Sequence, residues 1–201
     1  MQVILDEQTV ELDGPSLGEL LHAARKRLAD DSGRVVVEIA IDGRRLDDQQ
    51  ITDRQSEDVS DLSVAFTSAD PKALAVETLE QVRTRLTDAE DDQKEAADLL
   101  QRDQKQNALQ KVGSSIEAWL QVQQAVLQST VLLGINLDDL SVDGEPAHAL
   151  TTQAVERLND VKEFIQADDT VALADSLEYE WPETTAKWHT LIDELIKAIN
   201  A

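Results

Sequence analysis

The spacing of apolar residues changes once along this chain, and the change falls at Asp70-Pro71. Before it, apart from one helical stretch, apolar residues recur every second position. After it they recur every third or fourth. A period of two lines one face of a strand, and a period near 3.6 lines one face of a helix. The two regimes therefore belong to different kinds of core. The spacing predicts an α+β domain over residues 1–69 and an all-α helical bundle of four to five helices over residues 70–201.

In the first regime Val3, Leu5, Val10 and Leu12 alternate with polar residues on either side of Asp6-Glu7-Gln8-Thr9, which predicts two short strands around a tight turn. Ser16 with Glu19 three residues later is a capping-box pattern. It opens a helix carrying Leu17, Leu20, Leu21, Ala24 and Leu28, and Asp31-Ser32-Gly33 closes it. Val35, Val37, Ile39 and Ile41 then predict a strand with its inner face on the odd positions. Val36, Glu38, Ala40 and Asp42 fall on the other face. Asp42-Gly43 is a turn signal. A long polar connection leads to a last strand with Leu62, Val64 and Phe66. One helix laid across a mixed sheet would bury all these residues together.

The segments Met1-Gln2-Val3-Ile4, Ile39 to Asp48 with its Asp42-Gly43 turn and Leu46, and Asp61 to Phe66 resemble the ubiquitin-like β-grasp. The resemblance covers about a third of the chain, residues 1–69. It implies a small folded module that either contacts the rest of the chain or docks a partner. Conjugation in that family needs a free diglycine tail, whereas here Thr67-Ser68-Ala69-Asp70-Pro71 runs on into the helical part. Two positions of the family's apolar binding patch match Ala40 and Ala65. At ~25 cal/mol per Å² of apolar surface, that truncation removes several kcal/mol of interface energy. The resemblance thus does not extend to recognition by ordinary ubiquitin receptors.

In the second regime Asp70 can cap and Pro71 suits the first helical position. Leu74, Leu79, Val82, Leu86 and Ala89 start a long helix whose middle, residues 88–95, is very polar. Arg102-Asp103-Gln104 reads as a turn or a kink. The next helix carries Val112, Ile116, Trp119, Val122, Val126 and Leu132, is apolar on more than one side, and ends at Gly134. That breadth of apolar surface predicts Leu132 in the core. A loop with an Asp143-Gly144 turn leads to a helix with Leu150, Ala154, Leu158, Val161 and Ile165. Ala167-Asp168-Asp169 interrupts, and a short helix follows. Pro182 should break or kink it before a last helix with Trp188, Leu191, Ile192, Leu195 and Ile199. Leu100-Gln101-Arg102-Asp103 and Ile165-Gln166-Ala167-Asp168 are alike, and each precedes a Trp-bearing helix. This hints at a duplicated hairpin.

Charge and composition narrow the function. Lys+Arg total 18 against 41 Asp+Glu, a net charge of −23. Binding to nucleic-acid phosphate or to an anionic membrane surface needs the opposite balance. With no Cys, disulfides, thiol catalysis and thiolate metal sites are excluded. The longest apolar run, Val131 to Ile135, is far short of the ~20 residues of a membrane span. The N-terminus has no basic region of a secretory signal. These features give the expectation of a cytoplasmic chain.

The densest local chemistry lies in residues 175–189, which hold the only Tyr and two of the three Trp. Tyr and Trp serve as interface anchors and equally as core plugs where a helix kinks. The candidate partner-binding residues are Trp119, Tyr179, Glu180, Trp181, Glu183 and Trp188. Asp175, Glu178, Glu180 and Glu183 form a run of carboxylates, but the Glu-x-x-His pair of bundle metal sites is missing. No phosphate loop, nucleophile elbow or zinc-protease motif occurs. No cofactor, metal or catalytic residue is therefore assigned. The expectation is a non-enzymatic adaptor or scaffold whose helices hold a basic or amphipathic segment of a partner protein. An export-type chaperone holding a client helix is the alternative, and a carboxylate metal bundle a remote one.

Overall fold

A computed structural model describes residues 2–201 and divides the chain into two compact units, residues 1–74 and 75–201. Met1, the first residue of the opening segment compared above, lies outside the described residues.

The first unit holds strands β1 (Gln2–Leu5) and β2 (Gln8–Val10), helix α1 (Leu17–Asp31), and strands β3 (Val35–Ile41) and β4 (Arg44–Arg45). A short helix α2 (Asp48–Asp53) and strand β5 (Ser63–Ala69) complete it. The five strands form one mixed sheet in the order β2-β1-β5-β3-β4, with β1 and β5 parallel at its centre. Asp6 and Glu7 take positive φ values of 47° and 66°. That left-handed pair turns β1 back into β2 as a two-residue hairpin. The capping box at Ser16 and Glu19 forms as the spacing predicts. α1 then buries Leu17, Leu20, Leu21, Ala24 and Leu28 against Val3, Leu5, Ile39, Ile41, Val64 and Phe66.

Two details depart from the sequence expectation. A bulge between Val36 and Glu38 shifts the register of β3 against β5. One extra residue exchanges the faces of the positions before it. Val37 is therefore exposed, and Val36 packs on the core. The long polar connection also contains structure of its own. Asp47 and Gln50 form a second capping box that starts α2. A further device joins three ends of the sheet. Asp6 accepts from the Ser68 backbone N–H at 2.7 Å and from its hydroxyl at 2.6 Å, while Arg34 donates to the Ser68 hydroxyl and carbonyl at 2.7 and 2.6 Å.

The second unit is helical. Its elements are α3 (Pro71–Gln101), α4 (Lys105–Leu133), a small hairpin of β6 (Ser141–Val142) and β7 (Glu145–Pro146), α5 (Ala147–Gln166), α6 (Thr170–Asp175) and α7 (Trp181–Asn200). A π-turn over Ser176–Glu180 joins α6 to α7. α3 runs unbroken through the polar stretch 88–95, because Ala89, Gln93, Ala96 and Ala97 face inward there. α4 ends at Gly134, whose φ of 65° lets the chain leave in the left-handed conformation. The same geometry closes α3 and α5, with Asp103 and Asp168 both at φ 58°. Gln104 N–H bonds to the Leu99 carbonyl and Asp169 N–H to the Phe164 carbonyl, the matching bonds of two equivalent helix ends. The similarity of residues 100–103 and 165–168 thus corresponds to one shared turn geometry.

The core of this unit is one cluster drawn from all its long helices, including Leu79, Leu86, Trp119, Val126, Leu150, Leu191 and Leu195. Leu132 does not belong to it. It is 40% exposed, because the inward arc of α4 runs through Val122, Val126 and Ser129 and leaves Leu132 at its edge.

Candidate functional site

Pro182 determines the local geometry of the aromatic-rich stretch. Proline has no N–H to give and its ring crowds the carbonyl four residues earlier. Of the expected break or kink, the helix does not break: it widens into a turn in which Trp181 N–H bonds to the Ser176 carbonyl five residues back. Helicity continues from Thr170 to Asn200 through this one π-turn. Such insertions are frequent at functional sites.

The turn sends the candidate residues to opposite sides. Trp181 and Trp188 are fully buried and close on Trp119 of α4, with ring centroids 5.0 and 5.4 Å apart. The Trp188 indole N–H donates to the Leu150 carbonyl at 3.4 Å. Among the described residues the indole N–H groups of Trp119 and Trp181 have no acceptor. The three Trp are core plugs in this structure and offer a partner no surface. Tyr179, by contrast, is 68% exposed. The neighbouring Glu178 carboxylate holds its phenol above the usual pKa.

Glu180 and Glu183 face a groove of about 210 Å³, lined also by Glu156, Arg157, Asp160 and Lys187. Glu180 accepts from Arg157 at 2.7 Å and from the Ser176 hydroxyl at 2.8 Å. Arg157 also lies 3.7 Å from Asp160. Lys187 pairs with Glu183 at 2.9 Å and with Glu145 of β7 at 3.4 Å. The hydrogen bond between Glu183 and Lys187 raises the lysine and lowers the glutamate, so both stay charged near neutral pH. Four carboxylates surround two cations in the groove, leaving a local excess of negative charge. Ser176 is itself buried, and its hydroxyl is held by the Glu180 carboxylate. Among the described residues no three His, Asp or Glu side chains converge as metal ligands. Glu178, from the carboxylate run, accepts instead from Gln101 at 2.7 Å.

The Glu183–Lys187 pair is legible in the sequence as charges four residues apart. Arg157 is not, because its partner Glu180 is 23 residues away on another helix.

The family model of a domain of unknown function (DUF8042) matches residues 77–191, more than half of the chain. The chain belongs to this family. The DUF8042 segment begins within α3 and ends within α7, so it contains the Trp cluster, the π-turn and the groove. No curated protein and no solved structure matches the chain.

Proposed function

We propose that this protein is a non-enzymatic interaction module, an adaptor whose helical unit holds a basic or amphipathic segment of a partner protein at Tyr179 and the groove of Glu180 and Glu183. The observation that carries this reading is a groove whose carboxylates outnumber its cations, with an exposed Tyr179 preceding its Glu180 in the chain. An aromatic side chain supplies contact area at low entropy cost, and the excess carboxylates favour a guest with Lys or Arg. A cytoplasmic setting is part of the same proposal.

We further infer that the first unit is a ubiquitin-like β-grasp. The strand order β2-β1-β5-β3-β4 and the single helix α1 across the sheet support it. On the outer face of that sheet Ile4, Ala65 and Ala40 stand side by side in register. Two methyl groups in that row leave little apolar area, which favours a scaffold role for this unit over capture by ubiquitin receptors.

The test is capture from native lysate on the immobilised chain at physiological salt, comparing the wild type with Tyr179→Ala and Glu183→Lys. Both side chains are exposed, so both variants should melt like the wild type. A protein retained by the wild type and lost by both variants supports the reading. Equal retention by all three overturns it.

A further inference from the structure

Between Glu117 and Asp138 the chain passes twenty residues without one ionisable side chain, in a molecule where 29% of residues are Asp, Glu, Lys or Arg. Most of this run lies on α4, and part of it faces solvent. Leu120, Leu127 and Val131 are 53%, 60% and 75% exposed. At ~100° per residue these three lie within roughly 40° of one another on the helix, with half-buried Ile116 beside them. On one side the stripe is flanked by Gln121, Gln124 and Gln128, with Glu117 the one acid of α4 beside it, so the stripe itself carries no charge.

The spacing of the stripe identifies what fits it. Ile116, Leu120, Leu127 and Val131 are separated by four, seven and four residues, which reads the same from either end. A two-fold contact between identical helices must be self-complementary, each residue meeting the one related to it by the axis. An axis midway between Gln123 and Gln124 sets Leu120 against Leu127 of the second copy and Ile116 against Val131, so every apolar residue meets an apolar one. The lack of charge matters equally. Two molecules at −23 repel, and this face lets them touch without bringing carboxylates together. A basic partner would gain little from a stripe that itself carries no acid.

We propose that the exposed stripe of α4 is a self-association surface, on which a second copy of this chain docks antiparallel through Ile116, Leu120, Leu127 and Val131. The stripe is about 24 Å long at 1.5 Å per residue. A single helix pair of that length belongs with weak, reversible contacts and not with obligate interfaces. Tyr179 and the groove of Glu180 and Glu183 take no part, so this inference stands apart from the adaptor reading.

Sedimentation velocity on the full chain from about 5 to 500 µM tests it. The expected result is a monomer–dimer equilibrium that shifts toward dimer with concentration. It should shift further from 0.05 to 0.5 M NaCl, because salt screens the repulsion and leaves apolar contacts intact. Leu127→Glu should weaken dimerisation at least tenfold with an unchanged melting temperature, while Gln121→Glu, off the stripe, should do so far less. The chain has no Cys, so single cysteines report cleanly. A short bismaleimide should link Gln124→Cys into a covalent dimer and leave Gln110→Cys, at the distant end of the helix, monomeric. A strictly monomeric chain overturns the proposal, as does a dimer indifferent to Leu127→Glu or linked equally through both cysteines. Neither result bears on capture by Tyr179.

Discussion

At the scale of single residues, burial separates side chains that look alike in the sequence. Trp188→Ala should lower stability by about 3–5 kcal/mol, since it empties a fully enclosed site against Trp119. Tyr179→Ala, nine residues earlier, should change it by less than about 0.5 kcal/mol. Chemical denaturation of the two variants checks both values. The indole hydrogen bonds add a finer distinction. Trp188→Phe loses the bond to Leu150, whereas Trp181→Phe loses none, so the first should be the more damaging. His189 gives a pH prediction. Burial pushes its imidazole below the ordinary value and Arg83 adds to this, outweighing Glu90 and Asp193. Below the ordinary His pKa the unfolded chain takes the proton first. The stability tied to neutral His189 is therefore full above about pH 6.5 and is lost as pH falls toward the lower folded value. Thermal melts of His189→Gln should accordingly fall less between pH 7.5 and 5 than those of the wild type.

At the scale of elements, the signals that were legible are local ones. The capping box of α1, the helix ends near Asp103, Gly134 and Asp168, and the turn at Asp143-Gly144 each need only a few neighbouring residues, and each stands in the structure. What was not legible depends on what comes to lie opposite. The bulge in β3 follows from its pairing with β5, and nothing in Val35-Val36-Val37 marks it. The π-turn was half legible: Pro182 announced a disturbance but not that the helix would widen and continue. The candidate site divides in the same way. An aromatic-rich run is visible in the sequence, but which of its rings turn inward is decided by the Trp119 ring on another helix, and Arg157 enters the groove from α5. α4 offers the sharpest test. Its apolar arc is too wide to divide by sequence, and Leu132 looks as internal as Val126. Val126→Asp should abolish cooperative melting, because it places a carboxylate in a fully buried site without a partner. Leu132→Asp should cost less than about 1 kcal/mol, since the new charge reaches water. Equal damage from the two would mean that the inward arc of α4 is broader than the structure has it.

At the scale of the whole molecule, the dominant electrostatic fact is excess. With 41 acidic against 18 basic side chains, 23 carboxylates would remain unpaired even if every Lys and Arg held one. The ion pairs that form are mostly exposed, such as Arg102–Asp98 and Lys197–Glu194, and exposed pairs contribute little. A stronger one is Lys111, which Glu95 and Asp92 hold at 2.7 and 2.9 Å, fastening the start of α4 to α3. Salt acts on both terms with opposite sign. It screens the repulsion among unpaired carboxylates, which stabilises the compact state, and it weakens the pairs, which destabilises it. Repulsion spans many distances and many groups, whereas the pairs are few and short, so repulsion should win. Raising NaCl from about 0.01 to 0.5 M should lift the melting temperature, and at this chain length each kcal/mol regained corresponds to roughly 2–4 °C. Lys111→Gln should raise that salt sensitivity, because it frees two more carboxylates. A melting temperature that falls with salt would instead mean that the paired charges, Lys111 foremost, outweigh the excess.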